Sequence, residues 1–320
     1  MKTSRLICLM LCLTLGLYAF GTAFAEEEAG KASRSAISFD METQQVTETP
    51  LSDEEIAPGT EIDGVPLGEA VDEIQGYSMP EDEVAEEDAL EAQMNNQLLC
   101  YSIFGSDDRQ ILRSERETYP YRTVVYLEMT FPAGNYRGTG FMIGPHYVLT
   151  CGHCVYDSSL GGWATSIKVS PARSRNLYPY GSTYSTWLSC MSEWYYNHDW
   201  TCDLGLIKTS TDIGNTTGWL GYHTPTDAEC SNYAWYIGYG QGTDYMYEAT
   251  GYLQGTAYNG DSLKYRIDTL PGSSGSPVFI WYNNSNAYFI GVNNMHDDSY
   301  NYAVRLRTDT VNFFRDYFGK

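Results

Sequence analysis

From Arg122 onward the chain alternates short apolar runs with turn-forming clusters. Thr123-Val124-Val125-Tyr126-Leu127 is followed by Pro132-Ala133-Gly134-Asn135, and two further runs, 140–143 and 147–150, flank Gly144-Pro145. The segments 204–208, 234–238, 265–268, 277–281 and 288–292 continue the series. Apolar runs of about five residues broken by Gly, Asn, Asp and Pro predict the strands of an all-β sandwich or barrel. The period changes once, near the C-terminus. Val311, Phe314 and Phe318 fall at i, i+3 and i+7, which predicts a helix with Asp309 as its cap. No repeat of fixed period is present.

The first hundred residues follow neither pattern. Lys2 and Arg5 precede an apolar run over 6–20, and Ala23-Phe24-Ala25 supplies small residues around a cleavage point. This predicts a signal peptide over 1–25, since a membrane-spanning helix needs about 20 apolar residues. Residues 26–100 carry 21 Asp and Glu against Lys31 and Arg34, and their aromatic residues are Phe39 and Tyr77 alone. A stretch so charged and so poor in aromatics buries little apolar surface on its own. The expectation for 26–101 is therefore a poorly ordered acidic pro-segment. The remaining 102–320 is long enough for two small barrels sharing a core. The acidic balance argues against nucleic acid as a partner. With the signal peptide removed, no segment calls for a membrane, and export of a soluble monomer is expected.

Cys100, Cys151, Cys154, Cys190, Cys202 and Cys230 remain after the signal peptide. In an exported chain they are expected to form disulfides, although six cysteines allow 15 pairings. Zinc is the rival reading of Cys151-Gly152-His153-Cys154. That cluster lacks a second Cys/His group at metal spacing, so neither a metal nor another cofactor is expected.

Three local patterns carry chemistry. Thr150-Cys151-Gly152-His153-Cys154 closes a strand, 202–208 leads into one through Asp203, and Gly272-Ser273-Ser274-Gly275-Ser276-Pro277 is a glycine-rich turn before a third. Taken in this order they resemble the His, Asp and Ser motifs of the chymotrypsin-like serine proteases. With 102–109, 119–122, 138–155, 178–182 and 272–279, the chain is similar to the bacterial glutamyl endopeptidase branch of that family. The resemblance implies a chymotrypsin-like double β-barrel of two six-stranded barrels with a C-terminal helix. It also implies a secreted serine endopeptidase acting on protein or peptide substrates, with a mature chain beginning near Ser102.

The physical case stands beside that match. A serine hydroxyl attacks poorly until a base takes its proton, and the imidazole base needs a buried carboxylate to fix its tautomer. His153, Asp203 and Ser274 fill these roles. An ordinary imidazole would titrate near about 6.5–7. Asp199 rivals Asp203 but does not lead directly into an apolar strand. Ser273 and Ser276 rival Ser274, which alone has the glycine spacing of the motif. Gly272 lets the turn aim the N–H groups of Gly272 and Ser274 at a developing oxyanion.

Specificity is less well defined. By resemblance, Thr269 and Asn293 line the pocket for the residue before the scissile bond. The family's glutamyl members have a histidine where Asn293 stands. Asp268 occupies the place that attracts Arg and Lys in trypsin-like enzymes. Cleavage after acidic residues is the first expectation and cleavage after Arg or Lys the alternative. Ser273, where trypsin-like zymogens have an Asp, implies activation without a buried ion pair, so the pro-segment covers the site or assists folding. A catalytically silent, protease-shaped binding module would instead require loss of the triad. The aromatic run Trp194-Tyr195-Tyr196 with Trp200 raises a carbohydrate-binding surface as a third class.

Overall fold

The computed structural model describes residues 34–65, 77–78, 103–105, 107–240, 243–282 and 286–320. The expected signal peptide at 1–25 and Cys100 lie outside them. Twelve strands build two barrels. The first contains β1 (Val124–Phe131), β2 (Gly134–Met142), β3 (Tyr147–Thr150), β4 (Ser166–Pro171), β5 (Thr183–Met191) and β6 (Gly205–Thr209). Its neighbours run β4-β1-β2-β3-β6-β5, and a β4–β5 pairing closes the ring. The second contains β7 (Tyr233–Gly240), β8 (Thr243–Ala257), β9 (Ser262–Tyr265), β10 (Pro277–Tyr282), β11 (Asn286–His296) and β12 (Asn301–Arg305). The same order recurs as β10-β7-β8-β9-β12-β11, closed by β10–β11. Closure leaves few strand edges unpaired. The predicted all-β double barrel is therefore observed.

Each barrel wall turns alternate side chains inward. Val125, Leu127, Phe141, Leu149 and Ile207 are fully buried in the first, and Tyr236, Leu263, Tyr265, Val278 and Ile290 in the second. One packed core crosses the seam between them. Phe141 of β2 meets Phe289 of β11 edge to face, with ring centroids 4.7 Å apart. Such a contact adds about 0.5–1.5 kcal/mol beyond the area buried.

Three expectations need correction. The C-terminal helix spans Thr308–Phe314, so Phe318 lies past its end and packs on Tyr222 instead. Its start is held by the Arg307 N–H donating to Thr310 Oγ1 at 2.8 Å, with Asp309 already inside the first turn. Cys151, Cys154, Cys190, Cys202 and Cys230 are all free thiols, and all are buried. Cys151 and Cys154 lie within hydrogen-bonding reach of each other at the turn that carries His153.

The third correction concerns the acidic segment. Residues 34–65 are ordered. Ser35–Asp40 forms a strand antiparallel to β5, and Gln45–Pro50 folds back on it as a hairpin. The local composition is polar, but Ala36, Ile37 and Phe39 enter the core of the first barrel. Their burial depends on a partner surface that local composition does not reveal. The chain then crosses to the second barrel, where Glu61–Ile62 pairs with Gly221–His223.

Candidate active site

The end of β3 turns into a single 3₁₀ turn, Gly152–Cys154, which carries His153. Asp203 follows another 3₁₀ turn, Trp200–Cys202, and precedes β6. The pairing of β3 with β6, Thr150 opposite Gly205, brings these two turns together. Asp203 Oδ2 lies 2.7 Å from His153 Nδ1, and its Oδ1 accepts the His153 backbone N–H at 2.8 Å. One carboxylate thus holds both the ring and the backbone of the histidine, and both residues are buried. The rival Asp199 instead caps its own turn, accepting from Thr201 N at 2.9 Å.

Burial lowers the proton affinity of the His153 ring, but the adjoining Asp203 carboxylate and Cys154 sulfur outweigh it and hold the pKa well above the usual 6.5. The expectation of an ordinary imidazole therefore shifts upward. The Cys154 thiol moves the opposite way, to about 5. Its own burial opposes that shift, and hydrogen bonding from Cys151 and the imidazole drive it. The direct contact with Asp203 chiefly sets the direction at His153. Trp194 and Trp200 pack their rings 6.0 Å from the imidazole. Trp194 is buried and donates to Tyr156 O, so it is a wall of this site and not a carbohydrate platform.

The second barrel supplies the turn before β10. Gly272 and Gly275 adopt φ of +91° and +88°, a region other residues enter only with strain. A Cβ on Gly275 would also lie 1.9 Å from Thr139 O. Between them sits Ser274, buried, its Oγ without a hydrogen-bond partner. Ser273 is engaged, with its hydroxyl accepting from Leu270 N at 3.0 Å. The turn is gripped from the first barrel. Thr139 N donates to Ser274 O at 2.8 Å, and Thr139 Oγ1 donates to Gly272 O at 3.0 Å. Thr139 O in turn accepts from Thr150 Oγ1, three residues before His153. Thr150 and Cys154 stand in the His motif and Trp194 in the aromatic run, each read there for another role, whereas Thr139 has no role legible in the sequence. Thr139 lies on β2, 11 residues before Thr150 and inside the 138–155 stretch, but no local pattern marks it as the partner of the Ser274 turn.

The three residues expected to line the specificity pocket are all buried. Asp268 accepts backbone N–H groups from Phe104 at 2.7 Å and Asp108 at 3.2 Å. Asn293 Nδ2 donates to Ser273 O at 3.0 Å, and its Oδ1 accepts from the Tyr265 hydroxyl. The Asn293 carbonyl takes both Gly275 N and the Cys151 thiol. Thr269, next to Asp268 in the chain, is fully buried. Ligand-capable atoms of Cys151, His153 and Asp203 lie within 4.8 Å of one another. The His153 and Asp203 atoms bond each other at 2.7 Å, and Cys151 Sγ lies 3.1 Å from Asn293 O.

The model of the trypsin-like peptidase domain matches residues 138–292, a span that contains all three motif residues. A protein of Bacillus subtilis called an extracellular metalloprotease is 33% identical over 218 residues, covering 66% of this chain and 68% of that relative. A glutamyl endopeptidase of Bacillus licheniformis is 37% identical over 182 residues, 56% of this chain and 54% of that relative. A solved Glu endopeptidase structure superposes with a TM-score of 0.59 at 25% identity, over 68% of this chain and 99% of the other. Fold, motif order and these likenesses agree: the chain belongs to the trypsin-like peptidases, in their glutamyl endopeptidase branch, and is a serine endopeptidase of chymotrypsin-like fold.

Proposed function

We propose that this serine endopeptidase is exported, works as a monomer and cleaves proteins or peptides after glutamate, with Ser274 as nucleophile. The observation that carries the assignment of roles is the buried His153–Asp203 contact at 2.7 Å on one side of the seam, with the unpartnered Ser274 hydroxyl on the other. Asp203 fixes the imidazole so that its other nitrogen faces outward as a base. His153 takes the Ser274 proton as the oxygen attacks the scissile carbonyl, then passes that proton to the leaving amine. Water repeats the cycle on the acyl-enzyme. Hydrogen bonds of this kind are commonly long without substrate and tighten in the complex.

The backbone N–H groups of Gly272 and Ser274 receive the oxyanion. Such a donor contributes about 2.7–4 kcal/mol to the transition state. The preference for glutamate draws support from Asp268. Its carboxylate is committed to the N–H groups of Phe104 and Asp108, which argues against its acting as an anionic base for Arg or Lys. Thr269 and one N–H of Asn293 then serve as neutral donors to a substrate carboxylate. Hydrogen bonds to a charged group contribute about 1.5–3 kcal/mol each. The signal-peptide pattern read at 1–25 supports export, and the resemblance of 102–320 to the family supports a cut near Ser102.

Cleavage of a randomised peptide library tests the specificity reading. Enrichment of Glu before the cut is the expected result, and enrichment of Arg or Lys would replace it with the trypsin-like alternative. Labelling with a fluorophosphonate tests the nucleophile: Ser274→Ala should abolish the label, and persistence of the label would move the role to another serine.

A further inference from the structure

We propose that residues 34–65 form a strap that remains bound across both barrels in the working enzyme, even after the chain is cut near Ser102. The inference goes beyond the assignment of specificity and does not depend on it.

The wall of the first barrel is only partly paired along one edge of β5. Strand β4 pairs with β5 only through Lys168–Tyr184 and Val169–Thr183. The rest of that β5 edge, from Trp187 to Met191, pairs instead with the strap, with Ala36 opposite Met191 and Asp40 opposite Trp187. An unpaired strand edge exposes a row of backbone donors and acceptors and invites association. The strap covers that row and also fills the space beneath it. Ile37 is 1% exposed and Phe39 stacks on Trp163 with ring centroids 5.5 Å apart. Ser38 and Ser189 bond through their hydroxyls at 3.1 Å inside the same layer.

The strap does not stop at the first barrel. Asn312, on the C-terminal helix, donates to Ser52 O at 2.7 Å and Glu54 O at 2.9 Å. Glu54 pairs with Arg315 at 2.9 Å. Farther on, Thr224 N donates to Thr60 O at 3.0 Å, and Ile62 sits opposite Tyr222. These attachments lie on β5, the C-terminal helix and the 221–223 strand, whereas the Ser274 turn is gripped by Thr139. A segment bound this way has no need to leave for substrate to enter. Its acidic side chains face solvent: Glu42, Glu48, Asp53, Glu54, Glu55, Glu61 and Asp63 are exposed, and Asp40 is half-buried.

The test begins with the active enzyme purified from medium under native conditions and then denatured for mass spectrometry. The expected result is residues 34–65 present in equal amount to the barrels, as a separate peptide or still joined. A fully active enzyme that has lost these residues would overturn the proposal. In parallel, Phe39→Ala in the full chain should lower Tm of the purified enzyme by about 10 °C. Val46→Ala, on the exposed arm of the same hairpin, should leave Tm unchanged. Equal Tm for wild type and Phe39→Ala in enzyme that retains the peptide would also overturn it.

Discussion

Thr139 and Ser274 are joined across the barrel seam, the Thr139 amide donating to the Ser274 carbonyl at 2.8 Å. The Thr139 hydroxyl adds a bond to Gly272 O at 3.0 Å, so one residue of the first barrel holds the carbonyls on either side of Ser273. Thr139→Val keeps the shape and the backbone bond but leaves Gly272 O unpaired. An unsatisfied buried acceptor costs about 1–3 kcal/mol. If that strain falls on the oxyanion turn, kcat should drop about tenfold with KM nearly unchanged, and Thr139→Ser should restore it. A loss of stability alone, with kcat of the folded enzyme intact, would show that the bond is only structural.

Removing the members of the triad should separate their roles. Ser274→Ala is expected to reduce turnover by about 10⁶, judged from an unrelated serine protease with the same constellation. Asp203→Asn should reduce it by about 10⁴ with the fold retained. Single-turnover assays on purified variants measure both, and near-normal turnover by either variant would refute the assignment.

The raised pKa of His153 sets the sign of the pH profile. The base form is present only above that pKa, so activity should be lost as pH falls through a limb lying above 6.5. Cys154 is the second contributor after Asp203 to hold the pKa up. Cys154→Ala should therefore shift the acid limb to lower pH while leaving the plateau rate similar. A limb that stays in place would remove Cys154 from the account.

A relative bears the name metalloprotease, which makes the response to chelation informative. Because Cys151, His153 and Asp203 are engaged by protein hydrogen bonds, a strong chelator should leave the rate unaltered. A fluorophosphonate should abolish it. Inactivation by the chelator, reversed by added zinc, would favour a metal at that cluster.

Asp268 offers a last contrast. Asp268→Asn keeps the side-chain shape but removes the charge facing Phe104 N and Asp108 N. The expected outcome is a lower Tm, with the order of preferred substrates unchanged in a library assay. A gain of acidic-substrate cleavage of tenfold or more would place the carboxylate in the pocket after all.

Much of this molecule was determined locally and could be read from its residues. Apolar runs bounded by Gly, Asn and Pro specify strands because each must bury a face; β1, β2, β3, β6, β7, β10 and β11 fall on such runs, whereas β4, β5, β8 and β12 do not stand out in the sequence. Asp203 was separable from Asp199 because only it leads directly into an apolar strand. Other features depend on partners distant in the chain. Ile37 and Phe39 sit in a polar, acidic stretch whose strand exists only because β5 offers an open edge. The five described cysteines are free thiols, an outcome that depends on where tertiary packing places them and that their spacing does not report. Thr139 lies 135 residues before Ser274, and no period or motif connects them. Short-range pattern reports which face of an element must be buried, while the identity of what buries it is decided when the two barrels close.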